Sequence, residues 1–278
     1  MATITAAQVK ELRDATAVSM MDCKKALQET DGNMEEATRL LRERGMAVAA
    51  KRAAKATNQG IIASSKSDDG KTVGLVEVNC ETDFVSRNDS FKAFVDAMAV
   101  KAVTTDEPLS DVCADALTDQ IASIGENLKI RRNVRFELQG TGAIGDYIHM
   151  GGKVGVLVEL GSEKEETTAA PAFQQLLRDL ALHVAACSPA HLVPDEVPAD
   201  VLEAERAIFA KQVEGKPEQI IDKIVEGKIR KFYSEICLVE QGFVKEPKQS
   251  ITDLLAEAGK ALDDTLTIRR FVRYQLGA

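Results

Sequence analysis

The spacing of hydrophobic positions changes character near residue 60. Before it, apolar residues recur at helical intervals, with Val9 and Leu12 on one stretch, Leu27 on a second, and Ala37, Leu40 and Leu41 on a third. One buried face on each of three short helices has this pattern. Start signals accompany it: Thr5 can cap the first helix, Ser19 with Asp22 fits S-x-x-D, and Asn33 with Glu36 fits a related cap. Asp31-Gly32 separates the second helix from the third, and Gly45 reads as a stop. A core this thin is expected to lean on a partner or neighbour. Met46–Gln59 is rich in Ala and carries Lys51, Arg52 and Lys55. It reads as an exposed, positive linker helix, either simply solvated or facing an acidic partner surface.

From residue 60 the period shortens to that of strands. Ile61–Ser65, a turn at Asp68-Asp69-Gly70, and Thr72–Asn79 read as a β-hairpin. Phe91, Phe94, Val95, Met98, Ala99 and Ala102 mark a helix, a second runs through about Asp111–Ile124, and Ile130–Leu138 is a strand. The unit then recurs. LKIRRNVRFELQG at 128–140 matches LTIRRFVRYQLGA at 266–278 in seven of thirteen positions, 138 residues later. Val76-Glu77-Val78 corresponds to Val158-Glu159-Leu160, only 82 residues later. The second copy therefore carries 56 additional residues, most of them near 195–245. Two helical patterns there flank Gly215-Lys216-Pro217, one with Val201, Ile208 and Phe209, the other with Ile220, Ile221, Ile224, Val225, Ile229 and Phe232. This reads as an inserted helical hairpin with more apolar surface than it can bury alone, which points to docking or self-association.

Composition narrows the class. A chain of 278 residues that is 45% apolar can bury a sizeable core, and the length suits about two domains. The net charge of −9 argues against a protein that coats nucleic acid. That charge is uneven: residues 1–55 hold 10 basic against 8 acidic side chains, and the remainder 25 against 36. Cys23, Cys80, Cys113, Cys187 and Cys237 are odd in number and scattered, so free thiols in a reducing cytosol are expected rather than disulfides or a zinc site. No 18-residue apolar run suggests a membrane span, and the first residues lack the marks of a signal or transit peptide. The chain is expected to begin near Met1 and to be cytoplasmic.

Familiar chemical strings fail on context. Gly140-Thr-Gly142-Ala-Ile-Gly145 spells G-x-G-x-x-G, but Asp146–Gly152 cannot open the long helix that a dinucleotide fingerprint needs. Gly70-Lys71-Thr72 ends like a phosphate-binding loop, yet Ser65 stands where its first glycine belongs and a strand follows. His149, His183 and His191 are the only histidines and form no catalytic motif; His183 reads as a packed helix residue and His191 as part of a Pro-flanked loop. No catalytic residue, metal site or cofactor is expected.

One segment is physically odd. Asn79-Cys80-Glu81-Thr82-Asp83-Phe84-Val85 lies between a buried strand and a helix and so belongs on a turn. An aromatic beside an acid there either plugs the local core, the more ordinary outcome, or projects towards a partner. MMDCKKAL (20–27), EVNCETDFV (77–85), IGENLKIRR (124–132) and HVAACSP (183–189) resemble, in order, the bacterial elongation factor Ts family, exchange factors for elongation factor Tu. The resemblance spans essentially the whole chain.

It implies an α+β fold: a ubiquitin-associated-like three-helix module at 1–45, a basic linker at 46–59, a core subdomain of small antiparallel sheet with helices at 60–140, and a second at 141–278 with a dimerisation-type hairpin at about 198–233. It also implies binding to Tu·GDP and faster release of GDP, without covalent chemistry, nucleic acid or membrane. By motif, the turn Thr82-Asp83-Phe84-Val85 inserts near the partner's magnesium and phosphate site, with Asp83 and Phe84 the intruding pair. Ile124 and Gly125 correspond to a nearby contact, and His149 to a histidine that faces the partner's far domain. Leu12, Arg13, Met20 and Met21 match the amino-terminal surface that grips the GTPase domain. Longer members carry a further helical module, whereas this sequence stops at Gly277-Ala278, so contacts made by that module are not expected here. The rival readings are a ubiquitin-associated-type adaptor without exchange activity and an oxidoreductase built on the Gly140–Gly145 string.

Overall fold

The computed structural model describes residues 4–16, 18–213 and 217–278. It opens with α1 (Ala6–Thr16), α2 (Met20–Glu29) and α3 (Met34–Arg52). Their amino ends are satisfied by side chains: Thr5 Oγ1 accepts from the Gln8 N–H at 3.3 Å, Ser19 Oγ from Asp22 at 3.2 Å, and Asn33 Oδ1 from Glu35 at 3.0 Å. Val9, Leu12, Cys23, Ala26, Leu27, Ala37 and Leu41 bury one another between the helices. Gly45 does not stop α3, contrary to expectation; it lies inside a helix that continues to Arg52, so the boundary at 45/46 falls within one element. The missing side chain serves packing instead. A Cβ there would come to 3.0 Å from Ala122 Cβ, so glycine lets α3 lie close against the first core unit. Only the first part of the expected linker helix is helical, and Gln59 already belongs to a strand.

That unit contains β1 (Gln59–Lys66), β2 (Thr72–Cys80), the one-turn α4 (Asp83–Ser86), α5 (Asp89–Ala102), α6 (Leu109–Val112), α7 (Ala114–Ile124) and β3 (Leu128–Glu137). The second unit contains β4 (Gly142–His149), β5 (Val154–Gly161), the one-turn α8 (Glu165–Thr168) and α9 (Pro171–Cys187). Then follow α10 (Ala199–Gln212), α11 (Glu218–Ile236), the short strands β6 (Gly242–Phe243) and β7 (Glu246–Ser250), α12 (Ile251–Leu262) and β8 (Thr267–Gln275). Both units form three-stranded antiparallel sheets, ordered β1-β2-β3 and β4-β5-β8. Bulges fall at matching places, Glu77/Val78 and Glu159/Leu160. The additional residues of the second copy lie between α9 and α12. There α10 and α11 pack through Val213, Val225 and Ile229, while Gly215 and Lys216 lie outside the described residues.

The two rejected nucleotide strings run into strands: Gly70-Lys71-Thr72 enters β2, and Gly142–Gly145 begins β4. His183 is buried on α9, where its Nδ1 accepts the Val244 N–H at 3.1 Å and its Nε2–H donates to Gln241 Oε1 at 3.0 Å. Burial pushes its pKa down, as a neutral packed histidine requires. Among the described residues no helix is long and apolar enough to cross a membrane.

The sheets meet face to face, with helices on their outer sides. Val76, Val78 and Cys80 of β2 point towards α5, whereas Val73 and Leu75 join Phe136, Ile144, Leu157 and Tyr274 between the sheets. Glu77 and Glu159 are fully buried at this junction. Arg132 Nε binds Glu77 at 2.8 Å, and its guanidinium lies 4.2 Å from the Tyr274 ring centroid in the other unit. Arg270 Nε binds Glu159 at 2.7 Å and lies 4.1 Å from the Phe136 centroid. Each guanidinium also donates across to a backbone carbonyl, Gln275 O at 3.0 Å and Glu137 O at 2.5 Å. Backbone N–H groups of Gly277 and Gln139 donate to the two carboxylates at 3.1 and 2.8 Å, alongside Asn79 Nδ2 on Glu77 at 3.0 Å and Arg269 on Glu159 at 3.3 Å.

Removing one arginine leaves a carboxylate buried without its main counter-charge. The guanidiniums are themselves about a third exposed, so Arg132→Ala is expected to cost about 3 kcal/mol, the low end for a broken buried pair. Arg270→Ala should cost the same within about 1 kcal/mol, because each carboxylate keeps one second arginine, Arg131 at 3.7 Å from Glu77 and Arg269 at 3.3 Å from Glu159. Urea unfolding of both variants checks this; one silent variant would refute equivalence of the two halves.

Candidate functional site

Immediately after β2 the chain turns through Glu81 and Thr82 into α4, which has four residues. One helical turn has too few internal hydrogen bonds to hold itself, so its direction must come from its surroundings. Val85 packs against the α5 core, and its neighbour Phe84 therefore points the other way, 80% exposed. Phe84 does not plug the core. Asp83 pairs with Arg87 at 2.9 Å on the outside of the same turn.

Thr82 is held at every polar group. Its N–H donates to Glu126 Oε2 at 3.0 Å and its hydroxyl to Glu126 Oε1 at 2.7 Å. Its carbonyl accepts from the Cys80 thiol at 3.1 Å. A second carboxylate crosses in the opposite direction: Glu81 Oε1 accepts the Asn127 N–H at 2.6 Å. Arg52, at the end of α3, meets the same Glu81 carboxylate at 3.1 Å. The Asn127 N–H holds the Glu81 carboxyl below the usual carboxylate range against the opposing effect of burial, and Arg52 adds to the lowering. The two motifs at 81–85 and 124–127, separate in sequence, thus form one surface.

Within that surface Ile124 is half-buried at the end of α7, against the core. Gly125 caps α7 with φ +79°, and a Cβ would have no neighbour within 4 Å. Its glycine is required by the left-handed backbone rather than by crowding. His149 sits elsewhere, at the end of β4, stacked on Tyr147 with its Nδ1 3.0 Å from the phenol oxygen. Its hairpin nevertheless rests on β1 through Ile62 N–H to Gly152 O at 2.8 Å, the strand against which α4 also packs.

On the amino-terminal helices, Met20 and Met21 are exposed, 43% and 62%, at the start of α2, and Arg13 is exposed on α1. Leu12 differs from the expectation that it lies at the gripping surface: it is fully buried in the three-helix core and supports that face from beneath. Sequence reasoning had no role for Glu81 or Glu126, since charged residues in an acidic chain carry little signal. The internal repeat held one clue: 138 residues after Glu126, Asp264 is again acidic. Among the described residues no group of His, Cys, Asp and Glu is placed to hold a metal ion.

The Elongation factor TS family model matches residues 81–278. Across 99% of its length the chain is 43% identical to an elongation factor Ts of Nitratidesulfovibrio vulgaris, covering 96% of that protein. It is 44% identical to one from Trichlorobacter lovleyi over 99% of the chain and 93% of the relative. With the protein of that name from Desulfovibrio desulfuricans the identity is 43%, over the full length of both.

The thiol beneath the turn reports whether the turn stays closed. Burial, and then the nearby Glu126 charge, push the Cys80 pKa up to about 12. At pH 8, alkylation of Cys80 by iodoacetamide is expected to run at least about 1,000-fold slower than in the unfolded chain, because the thiol is fully buried and so little of it is thiolate. Mass analysis of the Cys80 peptide against time measures this, and comparable rates would mean that the turn opens readily.

Proposed function

The chain belongs to the elongation factor Ts family and is a translation elongation factor, and from that premise we propose that it binds elongation factor Tu·GDP and accelerates exchange of GDP for GTP. An exchange factor needs no acid, base or nucleophile. It needs contacts that are better with the nucleotide-free partner than with the GDP-bound one. Linkage then makes the effect reciprocal: as the factor weakens GDP, GDP weakens the factor by the same ratio.

The observation that carries the reading is Phe84, 80% exposed on a turn whose backbone is held on both sides. A large apolar side chain held in water gains by burial elsewhere. Burying one Phe supplies about 1.5–3 kcal/mol, a factor of roughly 10–150 in an equilibrium. In this reading Phe84 enters the partner beside its nucleotide with Asp83 next to it, and the local magnesium and phosphate environment loosens. Thr82 and Val85 fix the turn, and Ile124 and Gly125 border the contact.

Other surfaces supply affinity. We read α1–α3 as the family's ubiquitin-associated-type module, with Met20, Met21 and Arg13 against the GTPase domain, and His149 as a contact to the partner's far domain. The α10–α11 pair is read as the dimerisation-type hairpin. Val201, Ile208 and Ile220, each more than 40% exposed, support self-association or docking there. The site of action is the cytoplasm, where translation takes place.

Release of fluorescent GDP from purified elongation factor Tu tests the reading, and strong acceleration by this protein is expected. No acceleration would favour an adaptor built on the amino-terminal helices. Phe84→Ala should slow stimulated release far more than it weakens partner binding by calorimetry; equal losses would sink the wedge. Met21→Asp should instead weaken binding about tenfold, the loss of one buried Met contact, with the rate at saturation unchanged.

A further inference from the structure

The duplication supplies an internal comparison for the turn that carries Phe84. Thr82 and Lys164 stand at equivalent positions, 82 residues apart, and each precedes a one-turn helix. In the second unit Asp264 takes the place of Glu126: its Oδ2 accepts the Lys164 N–H at 3.3 Å and the Ser162 hydroxyl at 2.6 Å. Ser162, equivalent to Cys80, shares its one hydroxyl proton between Asp264 and Lys164 O, which lies 2.7 Å away, in the place where the Cys80 thiol meets Thr82 O at 3.1 Å. Holding this turn with a carboxylate is therefore a property of the fold in both copies.

The copies differ in what the turn carries and in how many carboxylates hold it. The residue equivalent to Phe84 is Glu166, a solvated charge with no apolar load to aim. The residue equivalent to Glu81 is Glu163, and Asp264 receives the Glu163 backbone N–H at 3.1 Å. In the first copy Glu81 instead reaches across to the Asn127 N–H at 2.6 Å while Glu126 reaches back to Thr82. The turn that presents an exposed aromatic is thus crossed twice, and its second strap continues through Arg52 into α3.

We propose that Glu126 and Glu81 are positioning residues whose crossed carboxylates fix the Thr82–Val85 backbone, and so aim Phe84, without touching the partner's nucleotide. The proposal rests on the exchange reading above. A wedge on a loose turn loses ordering entropy when it inserts, and a side chain held in advance does not. Positioning errors of about 1 Å can cost about 100-fold in rate, so loss of one strap should show in exchange before it shows in affinity.

The test follows fluorescent-GDP release from elongation factor Tu with full-length wild type, Phe84→Ala, Glu126→Ala, Glu126→Gln, Asp264→Ala and the double variant Phe84→Ala/Glu126→Ala. Partner affinity and thermal midpoint are measured for each. Glu126→Ala is expected to lower the saturated release rate about tenfold, with affinity kept within about threefold. Glu126→Gln should recover part of that rate, because its amide oxygen still accepts from Thr82. In the Phe84→Ala background Glu126→Ala should have no further effect, the signature of two residues acting as one unit. Asp264→Ala should leave the rate at the wild-type value whatever it does to melting.

A wild-type rate for Glu126→Ala, a full additional loss in the Phe84→Ala background, or an equal fall for Asp264→Ala would each overturn the positioning role and leave the wedge intact. If Phe84→Ala itself released GDP as fast as wild type, the wedge reading would fail and the positioning role with it. Thr82→Val, which loses only the hydroxyl, covers a Glu126→Ala that does not fold; a smaller fall is expected, and no fall overturns the proposal.

Discussion

Two buried carboxylates set the relation between the halves of this molecule. Glu77 and Glu159 sit where no solvent reaches, and each needs compensation that its own unit supplies only in part. Arg132 and Arg270 supply the charge from the neighbouring strand of the same sheet, the Gly277 and Gln139 N–H groups cross from the other unit, and each guanidinium comes to lie over an aromatic ring of that opposite unit. Apolar packing between the sheets is non-directional and would tolerate sliding. The crossed arginines make the docking specific, because a shift of one sheet would break ring contacts and carbonyl contacts together while the ion pairs stay within each sheet. Everything mounted on the two sheets, including the Phe84 turn and the His149 hairpin, inherits that fixed relation.

The same economy of means recurs at the turns that follow the central strands. A one-turn helix cannot specify its own direction, so an acidic residue just beyond the last helix of each unit reaches back to its cap residue. In the second unit the result is only closure, with the Ser162 and Thr167 side chains holding the Asp264 carboxyl well below its usual range. In the first unit a similar closure presents an exposed aromatic. Duplication thus separates the two roles: what both copies share is needed to complete the fold, and what one copy adds is available for function.

Much of this was legible in the sequence. The period change near residue 60, the repeated LKIRRNVRFELQG and LTIRRFVRYQLGA segments, and the caps at Thr5, Ser19 and Asn33 all correspond to observed elements. The misreadings have physical causes. Gly45 looked like a stop because glycine ends helices by φ, but here it serves close approach to Ala122, a tertiary demand invisible to local pattern. For Phe84 the local pattern favours a core plug, as an isolated aromatic usually is one, and only the family resemblance points outward; its neighbour Val85 already fills the core place. The carboxylates at 81 and 126 had no legible role because a hydrogen bond between residues 44 apart leaves no period in the chain.

The exposure of Phe84 leaves an apolar surface free for a partner. A phenyl ring in water forgoes burial worth about 1.5–3 kcal/mol, and a fold with a free choice would place a polar residue there, as the second copy does with Glu166. Holding that ring on a doubly strapped backbone adds no burial to the free protein. It does lower the entropy still to be lost when the ring enters a partner. For a factor that must disturb a bound nucleotide and then leave, this is a suitable division. On the exchange reading proposed above, broad surfaces such as Met20 and Met21 set affinity, while one rigid side chain sets how strongly nucleotide and factor oppose each other. The strap from Glu81 through Arg52 further ties that side chain to α3, so the Phe84 turn and the amino-terminal helices stand on one continuous framework.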